Sequence, residues 1–135
     1  MANALYDLGR QGFLDGSINW SGDTIKAVLI DTGTYTVNLS THEFLSDIAS
    51  GARVATSGAL ASKTVTAGVA DAADVTFTAV SGSSAEAIVL YQDTGTVGTS
   101  RLIAYIDTAT GLPVTPNGGD ITVAFDSGSN KIFKL

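Results

Sequence analysis

The chain has no cysteine, one histidine (His42), one tryptophan (Trp20), two prolines and two glutamates (Glu43 and Glu86) in 135 residues. Each shortage closes off some chemistry. Without cysteine there are no disulfides and no thiolate nucleophile, which also fits synthesis in a reducing cytosol. A zinc site needs three or four nitrogen or sulfur ligands, and a single histidine cannot supply them. Basic residues are few and scattered, at Arg10, Lys26, Arg53, Lys63, Arg101, Lys131 and Lys134, in a chain of net charge −6. Nucleic-acid binding rests on clustered cations that neutralise phosphates, so direct contact with nucleic acid is not expected. No stretch approaches the ~20 apolar residues of a membrane span, and residues 1–7 carry neither a basic nor an apolar leader segment. A soluble chain, unprocessed by a secretory route and independent of membranes, is therefore expected. The sequon-like triplets at Asn19 and Asn38 then read as chance matches.

What remains is a composition dominated by Thr, Ala, Gly, Ser and Val, with a mean hydropathy of +0.27 and 15% charged residues. Such a chain packs and pairs strands but offers few acids, bases or nucleophiles. No catalytic residue, cofactor or metal is expected. At this length one domain can bury roughly two-thirds of its unfolded surface. The low charge also suggests more apolar surface than one small core can hide, with copies of the same chain as the natural cover.

Periodicity places the elements. Thr24 to Ile30 is a β-branched apolar run, the pattern of a buried strand. Further strands are expected at Ala52–Ser57, Lys63–Ala67, Val75–Val80, Glu86–Gln92, Arg101–Thr108, Asp120–Asp126 and Lys131–Leu135. Those at Glu86–Gln92 and Arg101–Thr108 are suited to pair as an antiparallel hairpin. Ser40 and Glu43 have capping-box spacing, which predicts a short helix over Thr41–Ile48 with His42 in its first turn. Residues 111–119, with Pro113, Pro116 and Asn117-Gly118-Gly119, read as an ordered loop, and Ser127-Gly128-Ser129-Asn130 as a turn. The fold class expected is mainly β, an antiparallel β-sandwich or barrel with one or two short helices.

Residues 1–22 read as a possible N-terminal arm of this single domain (1–135). Leu5, Leu8, Phe13 and Leu14 suit one helical face, but Gly9 and Gly12 weaken a long helix. Leu5, Tyr6, Leu8, Phe13, Leu14 and Trp20 are the candidate contacts to another subunit, because aromatic residues are enriched at interface hot spots. The alternative is that they cover the end of their own sandwich, since aromatics dominate cores as well.

Three patterns suggest chemistry. Asp-Thr-Gly-Thr occurs at Asp31–Thr34 and at Asp93–Thr96, each after an apolar run. Aspartic proteases hold two carboxylates that share a proton on two such loops. Here the apolar-apolar-Gly segment that threads beneath each loop has no good candidate, so strand-end turns capped by Asp and Thr are expected instead. Asp71 with Asp74, or Asp120 with Asp126, could offer oxygens to calcium, but no EF-hand spacing is present and solvated turn aspartates are expected. Gly95-Thr96-Val97-Gly98-Thr99 lacks the lysine and helix of a phosphate loop.

The opening Ala4-Leu5-Tyr6-Asp7-Leu8-Gly9-Arg10-Gln11-Gly12-Phe13-Leu14-Asp15-Gly16 resembles small structural proteins of tailed bacteriophages. So do the central Leu39-Ser40-Thr41-His42-Glu43-Phe44-Leu45-Ser46-Asp47-Ile48 and the closing segment from Leu102-Ile103-Ala104-Tyr105-Ile106-Asp107 through Gly119-Asp120-Ile121-Thr122-Val123. The resemblance spans nearly the whole chain and carries no catalytic residues. It implies a virion component, first of all a capsid decoration (cement) protein. That role implies a homotrimer bridging major capsid protein subunits on the capsid surface, after assembly in the bacterial host cytoplasm. A tail or fibre-associated module, binding a receptor or glycan through exposed aromatics such as Trp20, is the alternative.

Overall fold

A computed structural model describes residues 4–125 and 131–135. The expected turn at 127–130 and the end of the expected strand at Asp126 lie outside the described residues. The chain is mainly β with antiparallel sheets. Strands β1 (Ala4–Leu5), β2 (Ile25–Ile30), β3 (Arg53–Thr56), β7 (Ala87–Gln92) and β8 (Leu102–Ile106) form one five-stranded sheet in the order β1-β8-β7-β2-β3. Strands β4 (Thr64–Thr66), β5 (Val69–Asp71) and β10 (Phe133–Lys134) form a second, in the order β10-β5-β4. Strands β6 (Val75–Phe77) and β9 (Ile121–Val123) pair with each other. Among the described residues none of the three sheets closes on itself.

The large sheet is covered on both faces, which explains why its inner strands are apolar without alternation. On one face Ile25, Ala27 and Leu29 of β2 and Ile88 and Leu90 of β7 pack with Phe77, Val123 and Phe133 of the two smaller sheets. On the other face Val28, Ile30, Val89 and Tyr91 pack against Tyr35, Leu45 and Ile48, which come from the segment between β2 and β3. The expected hairpin forms as β7 and β8, with Ile88 opposite Ile106 and Leu90 opposite Ala104. Its register then slips, so that Tyr91 faces Leu102 and Ile103 becomes an extra, bulged residue. The bulge turns Ile103 and Ala104 to the same core. It also leaves the Ile103 carbonyl to accept the Tyr6 N–H at 3.0 Å.

Residues 4–20 are not a projecting arm. After β1 pairs with β8, helix α1 (Asp7–Leu14) lies directly on that strand. Of the two glycines that weaken a helix on propensity, Gly9 permits this approach and Gly12 leaves room for Ile18. A Cβ built on Gly9 would stand 2.5 Å from the Leu102 carbonyl oxygen, and one on Gly12 would stand 2.7 Å from Ile18 Cδ1.

The expected helix over Thr41–Ile48 is absent. Two short 3-10 turns, Leu45–Asp47 and Ser50–Ala52, occupy the region instead. Tertiary pairing overrides local propensity here. The Leu102 N–H donates to the Glu43 carbonyl and the Leu45 N–H to the Ser100 carbonyl, both at 2.8 Å, so Glu43 and Phe44 run beside the start of β8, with Phe44 bridged to Arg101. Asp47, not Ser40, does the capping, its carboxylate accepting from the Glu43 and Phe44 N–H groups.

The other expected strands form within their spans but shorter, Val75–Val80 stopping at Phe77 and Asp120–Asp126 at Val123. Ala79 takes a positive φ of 48° and gives its N–H to Asp120. Strand β5 has no forerunner in the sequence pattern. Its Ala and Asp residues carry little β preference, and it forms because Ala67 and Gly68, with φ of 51° and 81°, fold it back on β4 in a two-residue hairpin turn.

Candidate interaction surface

The polar groups that sequence patterns single out are engaged with their own backbone. Asp31 accepts the Gly33 N–H on Oδ1 at 2.9 Å and the Thr34 hydroxyl on Oδ2 at 3.2 Å. Asp93 accepts the Gly95 N–H on Oδ1, and its Oδ2 lies 3.0 Å from the Lys26 ammonium. The bond to Lys26, helped by the Gly95 N–H, holds the Asp93 carboxyl below the usual range. Asp31 follows the last residue of β2, whereas the Asp93 N–H binds the Thr24 carbonyl just before its first residue. At roughly 3.3 Å per residue the two loops stand about 20 Å apart, so no shared-proton pair forms within one chain.

Two of the four calcium candidates, Asp74 and Asp120, are occupied in the same way. Asp74 accepts the Phe125 N–H and Asp120 the Ala79 N–H, while Asp126 lies outside the described residues. Among the described residues no cluster of three or more His, Asp or Glu side chains is placed to hold a metal ion. No helix among them is long and apolar enough to cross a membrane.

His42 ends a buried hydrogen-bond chain. Its Nδ1 accepts both the Asn38 N–H at 3.3 Å and the Tyr35 hydroxyl at 2.7 Å. With its proton given to His42, Tyr35 accepts from Tyr6 at 2.9 Å. Burial, followed by the bond to Tyr35, pushes the Tyr6 hydroxyl far above the ordinary phenol range. Tyr6 is fully inaccessible to solvent. The chain therefore pins the segment between β2 and β3 onto the sheet.

The surface itself is more informative. The exposed large apolar residues are Leu14 (87%), Val65 (59%), Leu135 (57%) and Val97 (38%). The first three line two adjoining grooves that share Leu135. One groove, of about 420 Å³, runs between Phe13, Trp20, Val65 and Phe133. The other, of about 430 Å³, is bordered by Leu5, Leu14 and two cations, Arg10 and Lys134. Trp20 stands edge-on to Phe133 at 5.2 Å, and Phe13 packs on the same ring at 5.7 Å. These contacts form the floor of the first groove.

Of the six residues singled out by sequence, the structure brings Leu5, Phe13, Leu14 and Trp20 to these grooves. Tyr6 is buried on the opposite side of the sheet, and Leu8 lines neither groove. Leu5 and Trp20 are themselves nearly buried, at 7% and 4%, so they belong to their own core more than to a free surface. At 4% exposure Trp20 presents almost no ring face on which a sugar could stack, and its indole N–H donates to the Asp71 carbonyl. Sequence reasoning missed Val65, Phe133 and Leu135. The only hint was the uncharged, β-branched Thr64-Val65-Thr66.

No protein-family model matches the chain, and no curated protein matches it either.

Proposed function

We propose that the protein is a bacteriophage virion structural protein, specifically a capsid decoration (cement) protein that stabilises the head by bridging major capsid protein subunits. The single observation that carries this reading is the pair of apolar grooves at Leu14, Val65 and Leu135, on a chain whose polar groups serve its own turns. Such a molecule is fitted to bind by shape. The resemblance of its opening, central and closing segments to small tailed-phage proteins supplies the biological setting. In the fold we propose, the five-stranded sheet is one layer of a β-sandwich and the two smaller sheets make the other. Three copies would gather around each threefold position on the capsid surface, the homotrimer forming there after synthesis in the host cytoplasm. Many weak contacts then add through multivalency to oppose internal pressure.

The test compares particles with and without the protein. Particles lacking it should release DNA at lower temperature, and adding purified protein back should restore stability with saturating, symmetric binding to the head. Unchanged particle stability, or gold-labelled protein found on tails alone, would refute the cement reading; the second result would favour a tail-associated role.

A further inference from the structure

We propose that the free edge of β4 is a self-recognition site, at which two copies of this chain pair antiparallel about a two-fold axis through Val65. The inference stands apart from the virion reading and is argued from the edge alone.

Among the described residues strand β4 pairs only with β5, so its other side presents unpaired backbone groups. All three of its residues are exposed, uncharged and β-branched. The usual devices that blunt an edge, a proline, a bulge or a lysine, are missing from it. The flanking Lys63 is drawn away, its ammonium held by the Asp23 carbonyl.

The hydrogen-bonding geometry is self-complementary. In a two-residue hairpin the residues flanking the turn exchange backbone bonds, and pairs alternate from there. Thr66 with Val69 and Thr64 with Asp71 therefore use their N–H and C=O groups on β5. The Val65 N–H and C=O point outward. An antiparallel copy centred on Val65 lets the two valines exchange both bonds. The palindrome Thr64-Val65-Thr66 then sets each Thr64 beside the other copy's Thr66, a favourable cross-strand pair.

The side chains agree. Val65, Ala70 and Phe133 form one row across the small sheet, and Ala70 and Phe133 belong to the core. Val65 thus faces inward, yet it is 59% exposed because nothing covers the sheet at that edge. Pairing would place two Val65 side chains together on this face and bring the two apolar grooves into one continuous strip. The Arg10 and Lys134 side chains stand on the groove rim, away from the Val65 axis, so the pairing does not depend on them.

The experiment uses the full chain. Sedimentation velocity over a concentration series should show a reversible dimer, and Val65→Pro should be monomeric with an unchanged circular dichroism spectrum, since the outward N–H serves no intrachain bond. The natural absence of cysteine gives a second readout that does not depend on that variant folding. Thr64 and the partner Thr66 would form a non-hydrogen-bonded pair, with Cα atoms about 4.5 Å apart, within disulfide reach. Thr64→Cys mixed with Thr66→Cys should oxidise to a linked dimer, and each alone should not. The proposal is overturned by a wild-type chain that is monomeric at every concentration, by an oligomer that folded Val65→Pro leaves intact, or by equal cross-linking of the single variants alone.

Discussion

Replacing Gly9 by alanine tests the packing of α1 on β8. In an ordinary helix interior the change stabilises by about 0.8–1 kcal/mol, because alanine loses less backbone entropy. Here the new Cβ would sit 2.5 Å from the Leu102 carbonyl oxygen and 3.2 Å from the Ile103 Cα and carbonyl oxygen. These are backbone atoms of a strand paired on both sides, by β7 and by β1, so the strand cannot yield. The helix must lift instead, straining the Tyr6 N–H bond to Ile103 and loosening the buried Tyr6. Overpacking of this kind costs ~1–3 kcal/mol, which outweighs the helix gain and leaves a net loss of about 1–2 kcal/mol. For a domain of this size that lowers Tm by roughly 3–8 °C. Gly12→Ala is the matched control. Its Cβ would meet side-chain atoms alone, Ile18 Cδ1 at 2.7 Å and Cγ1 at 3.0 Å, and no strand backbone, so its stability should stay within about 1 kcal/mol of wild type. Thermal and urea unfolding followed by circular dichroism measure both. A Gly9→Ala protein as stable as wild type, or a Gly12→Ala protein equally damaged, would refute the reasoning.

Ala67 holds a φ of 51° that an L-residue with a Cβ resists, so Ala67→Asn should raise Tm by a few degrees, worth about 0.5–1 kcal/mol in the hairpin turn; an unchanged or lower Tm would count against that turn type. Tyr35→Phe removes the acceptor of the buried Tyr6 hydroxyl and should cost ~1–3 kcal/mol, whereas Tyr6→Phe combined with it should recover part of that loss; additive losses in a double-mutant cycle would argue against the chain from Tyr6 to His42. The lowered Asp93 carboxyl contributes stability that is complete above its unfolded pKa of about 3.9 and is lost as pH falls through its lower folded value. Asp93→Asn should therefore be less stable than wild type at neutral pH, with the gap closing under acid; a gap that persists unchanged at the lowest pH would show that the ion pair with Lys26 is not its source.

The elements most legible in the sequence were the central strands. Ile25–Ile30, Ala87–Gln92 and Leu102–Ile106 are apolar enough that no other placement buries them, and the pairing of the last two follows from their order and spacing. The engagement of Asp31 and Asp93 with their own turns was equally readable, because Asp-Thr-Gly contains both the acceptor and the glycine such turns need. The segment around Glu43 could not be read this way. Its local pattern favours a helix by a small margin, and bonds from distant Ser100 and Leu102 exceed that margin.

The surface was harder still, for a physical reason. An apolar side chain looks the same whether its own chain or another covers it, so the sequence alone could nominate Leu5, Tyr6 and Trp20 without telling that they are buried. Nor could it show that Gly9 is a contact point, since the propensity that marks it as a helix breaker is local and the strand it touches lies about ninety residues away. What the sequence determined by itself was a β-rich chain poor in reactive groups. Only the tertiary structure decided that its incomplete edge is Val65, because exposure depends on where neighbouring layers end.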